Sequence, residues 1–220
     1  MTASYKLYGL FRSAPSYKVG LMLTLCDEAF DYVHVNLREG AHKKPDYLKI
    51  NRFGQVPALV DNSNGKTLCQ SGAILEYLAD KTGKFGGASL DDRLRAREWL
   101  FWGWDKFDVP VYRLRAWKLG FRPLELAVVE LYQAERKAAF DVLESHFASG
   151  HDYLAGDHAT IADIDLYGVA AVAHQGDYDV SGITSPVIMR PSPISIFMGS
   201  LLLRIRAIMM CPLILMLSHG

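Results

Sequence analysis

The stretch GQVPALVDNSNGKTLCQSGAILEYLADK, Gly54 to Lys81, decides the fold. Ala58-Leu59-Val60 is a short apolar run of strand length. Asn64-Gly65 follows, a dipeptide that turns hairpins because both residues tolerate a positive φ. Thr67-Leu68-Cys69 then reads as the returning strand. From Ser71 the period lengthens to that of a helix, with Ile74, Leu75 and Leu78 along one side as far as Lys81. The hairpin predicts an antiparallel pair, and the helix must bury its stripe against a sheet face.

Working outward to the N-terminus, Tyr5 to Leu10 reads as a buried strand and Ser16 to Cys26 as a helix with an apolar face. FDYVHVNL, from Phe30, is rich in β-branched and aromatic residues and reads as a second strand. KPDYLKIN, from Lys44, suits one or two helical turns. The order is therefore βαβαββα. Its opening βαβ predicts a parallel pair with a right-handed crossover. The result is a small mixed sheet with helices on its faces, ending near residue 81.

Toward the C-terminus the composition changes. TGKFGGAS, Thr82 to Ser89, is a Gly-rich linker, which we extend to residue 90. Residues 91–185 read as an all-helical domain. One helix is predicted from Asp91 to about Asp108, ended or kinked by Pro110. A second runs from Pro123, suited to a first turn, to Ala148, and a third from Thr160 to about Ala173. In ATIADIDL, Thr160 is the expected N-cap and Asp163 its N3 partner, a carboxylate form of the capping box. The tail, 186–220, is atypical. No acidic residue follows Asp179, and the tail carries neither helical nor strand period. We read it as the product of a frame change in the coding sequence, because Leu213 to Gly220 can be encoded so that a neighbouring frame gives a polar ending. A packed apolar tail or a partner surface is the plainer alternative.

The 220 residues carry 24 basic and 24 acidic side chains, and half are apolar. A sizeable core follows, and neither nucleic acid nor an anionic membrane is the expected partner, since both select basic surfaces. Arg204 and Arg206 split the apolar C-terminal run into pieces too short for the roughly 20 residues of a membrane span. Cys26, Cys69 and Cys211 are odd in number and far apart, so neither a disulfide framework nor a metal site is expected. A reducing compartment, the cytoplasm, fits, and no secretory leader is read at the N-terminus.

Three segments carry chemistry. FRSAPSYK, Phe11 to Lys18, places the hydroxyls of Ser13, Ser16 and Tyr17 around Pro15 at a strand-to-helix junction. Such a junction points backbone N–H groups outward and favours negative charge. A hydroxyl there either caps the helix or holds an anion. The second segment is Val56-Pro57 before a strand, and the third is Gln70-Ser71 opening a helix. Each alone is a weak signal: most X-Pro bonds are trans, and Gln-Ser before a helix is usually a cap.

In their order and spacing, LFRSAPSYKV, GQVPALV, QSGAILEYLA and TIADIDL resemble the signatures of the glutathione transferase superfamily, from about Tyr5 to Asp179. The serine-containing first motif and the Gln-Ser pair are most similar to the zeta class and related bacterial members. The resemblance implies an α/β thioredoxin-like domain followed by an all-α helical-bundle domain, a glutathione co-substrate, no metal, and a cytoplasmic homodimer with a role in detoxification. It implies a cis Pro57, with the Val56 backbone pairing to the cysteinyl part of glutathione. Gln70 and Ser71 would hold the γ-glutamyl end, and His42 and Lys43 the glycyl carboxylate. Ser13 matches the family's serine and would stabilise the thiolate, with Ser16 in reserve. The electrophile would lie between the domains, where the aromatic-dense segment Trp99 to Trp117 offers Trp102 and Tyr112 as pocket candidates. Zeta members carry Ser-Ser-Cys where this chain has Ser13-Ala14-Pro15. That argues against maleylacetoacetate isomerase activity and against cysteine-based glutathione disulfide chemistry at that point. The alternative reading is a non-catalytic member of the fold that binds apolar ligands or protein partners.

Overall fold

The computed structural model describes residues 3–10 and 12–178. The atypical tail, its apolar run and Cys211 lie outside the described residues. The chain divides into two compact units, one ending at Leu78 and the next beginning at Ala79.

The first unit is built on a four-stranded sheet, β1 (Tyr5–Gly9), β2 (Phe30–His34), β3 (Ala58–Asp61) and β4 (Thr67–Cys69), in the order β2-β1-β3-β4. β1 and β2 are parallel, with Tyr5 opposite Phe30 and Gly9 opposite His34. β3 is antiparallel to both β1 and β4. Three helices accompany the sheet: α1 (Ala14–Leu25), α2 (Pro45–Ile50) and α3 (Ser71–Thr82). The order is the βαβαββα read from the sequence, with a short 3-10 turn at Ala41–Lys43 added before α2. The core is Tyr5 and Leu7 of β1, Val19, Met22 and Leu23 of α1, Leu59 of β3, and Ile74, Leu75 and Leu78 of α3. The hairpin closes where the Gly65 N–H donates to the Asp61 carbonyl at 2.8 Å, and Gly65 has φ +70. The buried Asp61 carboxylate accepts from the Ser63 N–H at 2.8 Å and from the Tyr77 hydroxyl, so one side chain ties the turn to α3.

The second unit is helical: α4 (Leu90–Trp102), α5 (Asp108–Lys118), α6 (Leu126–Ala148) and α7 (Ile161–Ala170). The helix expected from Asp91 to about Asp108, ended or kinked by Pro110, is α4 and the turn after it, and Pro110 itself lies inside α5. The irregularity falls just before it, as a π-helical turn at Gly103–Phe107. Proline donates no N–H and its ring collides with the carbonyl four residues back, which here belongs to Lys106 in that widened turn. Pro123, expected in a first helical turn, instead precedes α6, whose N-cap is Glu125. Thr160 and Asp163 do form the capping box. The Thr160 hydroxyl accepts from Ala162 N–H at 3.3 Å, and the Asp163 carboxylate accepts from Thr160 N–H at 2.8 Å. A second box, Ser89 with Asp92, starts α4.

Candidate functional site

Strand register gathers the candidate residues of the first unit at one edge of the sheet. β1 and β2 end together at Gly9 and His34, while Tyr8 pairs with Ala58 and Ala58 with Cys69. The C-terminal ends of β1, β2 and β4 and the N-terminal end of β3 therefore share an edge. Ser13 follows β1, His42 and Lys43 follow β2, Val56-Pro57 precedes β3, and Gln70-Ser71 follows β4. The carboxyl ends of strands are where open α/β sheets place their ligands.

At the first junction the Ser13 N–H donates to the Leu10 carbonyl at 2.8 Å, turning the chain out of β1. Ser13 is the N-cap of α1, in extended conformation, and its carbonyl accepts the Tyr17 N–H at 2.9 Å. Its half-buried side chain makes no capping hydrogen bond. Pro15, in the first turn, has no N–H, so the backbone donors that the helix leaves over there belong to Ala14 and Ser16. The first turn contains no acidic residue. Ser16 differs from Ser13: it is fully buried, and its hydroxyl accepts the Leu10 N–H at 3.3 Å. It presses on the end of β1, where a Cβ on Gly9 would lie 2.9 Å from the Ser16 Oγ and 3.3 Å from the Tyr32 ring. Ser16 thus fixes the turn that presents Ser13. Of the remaining hydroxyls, Tyr8 lies in β1 with its ring edge-on to Tyr47, and Tyr17 lies within α1.

The second segment is held by residues that the sequence reading passed over. Val56-Pro57 is cis. Val56 lies beyond the last β1–β3 pair, at Ala58. Asn51, 1 % exposed, donates through Nδ2 to the Gln55 carbonyl at 2.7 Å and the Pro57 carbonyl at 3.3 Å, and accepts the Phe53 N–H at 3.0 Å. The Tyr47 hydroxyl donates to the same Gln55 carbonyl at 2.7 Å. Burial pushes the Tyr47 phenol up to about 12, so it remains a neutral donor at physiological pH. A signal was available in the sequence, since Asn51 directly follows the short helix and precedes Gly54 by three residues.

Gly54 draws the third group in. Its φ is +56, and a Cβ there would meet the His42 carbonyl and Lys43 Nζ at 3.0 Å. Lys43 Nζ donates to the Gly54 carbonyl at 2.9 Å, which leaves two of the three ammonium protons for other acceptors. Burial, with the Lys43 charge second, pushes the His42 imidazole below its ordinary range. Gln70 takes a left-handed φ of 70 and donates through Nε2 to Gln55 Oε1 at 3.1 Å. For a non-glycine residue this conformation is uncommon and marks a constrained position. Its carbonyl accepts the Ile74 N–H at 3.0 Å and starts α3 at Ser71. Lys43, Gln70 and the Val56 backbone thus converge on the Gly54–Pro57 loop. Burial pushes the Cys69 thiol, beside Gln70, up from its ordinary range, with Arg52 opposing.

Trp102 and Tyr112 belong to the helical unit. Trp102 is edge-on to Trp99 and stacked with Phe107, and it lines a cavity of about 640 Å³ with Trp99, His146 and His151. Asp91, Asp92, Glu98 and Asp157 also line it, together with Arg95, which pairs with Asp91 and Glu98, so its walls are charged as well as aromatic. Tyr112 is not part of that lining.

Comparison with known proteins agrees with this geometry. Residues 3–80 match the family model for the glutathione S-transferase N-terminal domain, and residues 127–191 that for the C-terminal domain. Glutathione S-transferase 3 of Zea mays is 36% identical over 172 residues, covering 73% of this chain and 74% of that protein. This chain belongs to the glutathione S-transferase family. A maleylacetoacetate isomerase of Rhizobium meliloti is 34% identical over 183 residues, covering 80% of this chain and 84% of that protein. The crystal structure of a possible glutathione S-transferase from Rhodopseudomonas palustris superposes with a TM-score of 0.79 at 35% identity, covering 87% of this chain and 95% of that one. The four-stranded mixed sheet and the helical second unit are the glutathione S-transferase fold. Within this member of the family, the first turn of α1 offers Pro15 and no thiol. Among the described residues, no helix is long and apolar enough to cross a membrane, and no group of three or more His, Cys, Asp or Glu side chains is disposed to hold a metal.

Proposed function

We propose that this protein is a glutathione transferase in which the Ser13 hydroxyl stabilises the glutathione thiolate. The observation that carries the reading is the state of Ser13: half-buried, at the positive end of a helix, with its hydroxyl not spent on capping. A free thiol has a pKa of about 8.5, so little of it is ionised at pH 7. Lowering that value by two units takes about 2.7 kcal/mol of preferential stabilisation of the anion. One charge-assisted hydrogen bond supplies about 1.5–3 kcal/mol. A hydroxyl beside the free N–H groups of Ala14 and Ser16 therefore has the required size.

In this reading the thiol proton leaves to solvent. The sulfur lone pair forms a bond to an electrophilic carbon, and a leaving group such as halide departs with its electron pair. The Val56 backbone pairs with the cysteinyl unit as an added strand. Gln70 and Ser71 take the γ-glutamyl end, where Ser71 contributes its hydroxyl and N–H at the start of α3. Lys43, with two ammonium donors left over beside the Gly54 carbonyl, suits the glycyl carboxylate better than His42, whose surroundings disfavour its charged form. Ser16 keeps its place beneath the turn. We further propose a cytoplasmic homodimer that uses no metal. The test is the thiolate absorbance of bound glutathione against pH, in the unaltered protein and in Ser13→Ala. Tight binding with an unshifted thiol pKa would favour a non-catalytic glutathione-binding role, and a lowered pKa that survives Ser13→Ala would reassign the donor.

A further inference from the structure

We propose that Asn51 is a positioning residue for glutathione, acting through the backbone of Val56; the inference rests on the glutathione reading above. Val56 is bracketed by two carbonyls, those of Gln55 and Pro57, and one buried amide group holds both, at 2.7 and 3.3 Å. The same side chain accepts the Phe53 N–H at 3.0 Å, so its two amide protons and its oxygen are all committed between residues 53 and 57. Only one orientation of the amide satisfies all three bonds. Asn51 is itself anchored, because its N–H donates to the Tyr47 carbonyl at 2.8 Å, at the end of α2. Tyr47 returns to the loop through its hydroxyl, which bonds the Gln55 carbonyl at 2.7 Å. With Asn51 only 1 % exposed, bulk solvent does not compete for these bonds. A ligand that pairs with Val56 reads the position of a peptide plane, and this clamp sets that plane on both sides.

No other residue type does the same work here. Aspartate at position 51 could accept the Phe53 N–H but would turn a carboxylate toward two carbonyls. Alanine would leave both carbonyls and the N–H without the amide that now holds them. Neither change removes a hydrogen bond of Ser13 or of the start of α1, since the Asn51 side chain bonds within residues 53 to 57.

The experiment compares the unaltered protein with Asn51→Asp and Tyr47→Phe. It measures the glutathione dissociation constant, KM for glutathione, kcat at saturating glutathione, and the pKa of the bound thiol. The expected result is binding weakened about tenfold for Asn51→Asp and a few-fold for Tyr47→Phe, with kcat and the bound-thiol pKa kept. The loss should shrink for a glutathione analogue N-methylated at the cysteinyl amide, which cannot pair fully with Val56. A lowered melting temperature with unchanged glutathione affinity would overturn the proposal, as would an equal loss for the N-methyl analogue. If Asn51→Asp does not fold, the few-fold effect of Tyr47→Phe and its dependence on the analogue still decide the question. Absence of glutathione binding by the unaltered protein would overturn the functional reading itself, whereas equal binding by all variants would overturn only the role of Asn51.

Discussion

Two serines at the start of α1 divide the labour at the residue scale. Ser13 keeps its hydroxyl out of the cap, whereas the Ser16 hydroxyl is enclosed and holds the Leu10 N–H. The two substitutions should therefore fail differently. Ser16→Ala strips the Leu10 N–H of its acceptor and should cost about 1 kcal/mol of stability, read as a lower midpoint in urea. It should leave the pKa of bound glutathione close to that of the unaltered protein. Ser13→Ala should leave stability within about 0.5 kcal/mol, since no capping bond is lost from the fold, and should act on the thiol instead. A reversal of these two outcomes would exchange the roles of the residues. The sequence placed both hydroxyls at the junction but could not rank them, because the burial of Ser16 depends on how closely it packs against Gly9 at the end of β1.

Helix starts and stops belong to the scale of the element, and here local chemistry was legible where it was self-contained. The Thr160–Asp163 box needs only four residues and a backbone turn, and it forms as read. The proline positions misled because a proline near a helix can precede it, begin it or sit behind a π turn, and packing decides which. Asn51 was passed over because its partners lie in a loop whose shape no period announces. The α7 cap also makes a pH prediction. Burial pushes the Asp163 carboxyl up to about 6 against an ordinary 3.8, while hydrogen bonds from Thr160 and Leu154 pull it down. The folded state thus holds this proton between pH 3.8 and about 6, while the unfolded state releases it. Stability from this group is complete below pH 3.8 and declines as pH rises to about 6. The amide introduced by Asp163→Asn cannot titrate. The unfolding free energy of the unaltered protein minus that of the variant should therefore fall over that range and level off above it. A flat difference would mean that the carboxyl ionises alike in both states.

For the whole molecule, the sequence displayed the division of labour, a mixed sheet with helices up to α3 and then a helical unit; it put the boundary in the linker after residue 81, whereas the compact units divide between Leu78 and Ala79, inside α3. Family membership was legible because the four motifs recur in order. Whether the aromatic run serves core or cavity was not, since it builds a core and lines a cavity with the same side chains. Glutathione binding should stabilise the folded chain by mass action, about 2.7 kcal/mol at a hundredfold excess over the dissociation constant. A thermal midpoint that ignores glutathione would deny binding altogether. The most direct test of the central claim is the pH titration of thiolate absorbance for glutathione bound to the unaltered protein and to Ser13→Ala. The account predicts a bound-thiol pKa about two units below the free value of about 8.5 in the first and a return toward that value in the second. A bound thiol that titrates like the free one, or a lowered value unchanged by Ser13→Ala, would contradict it.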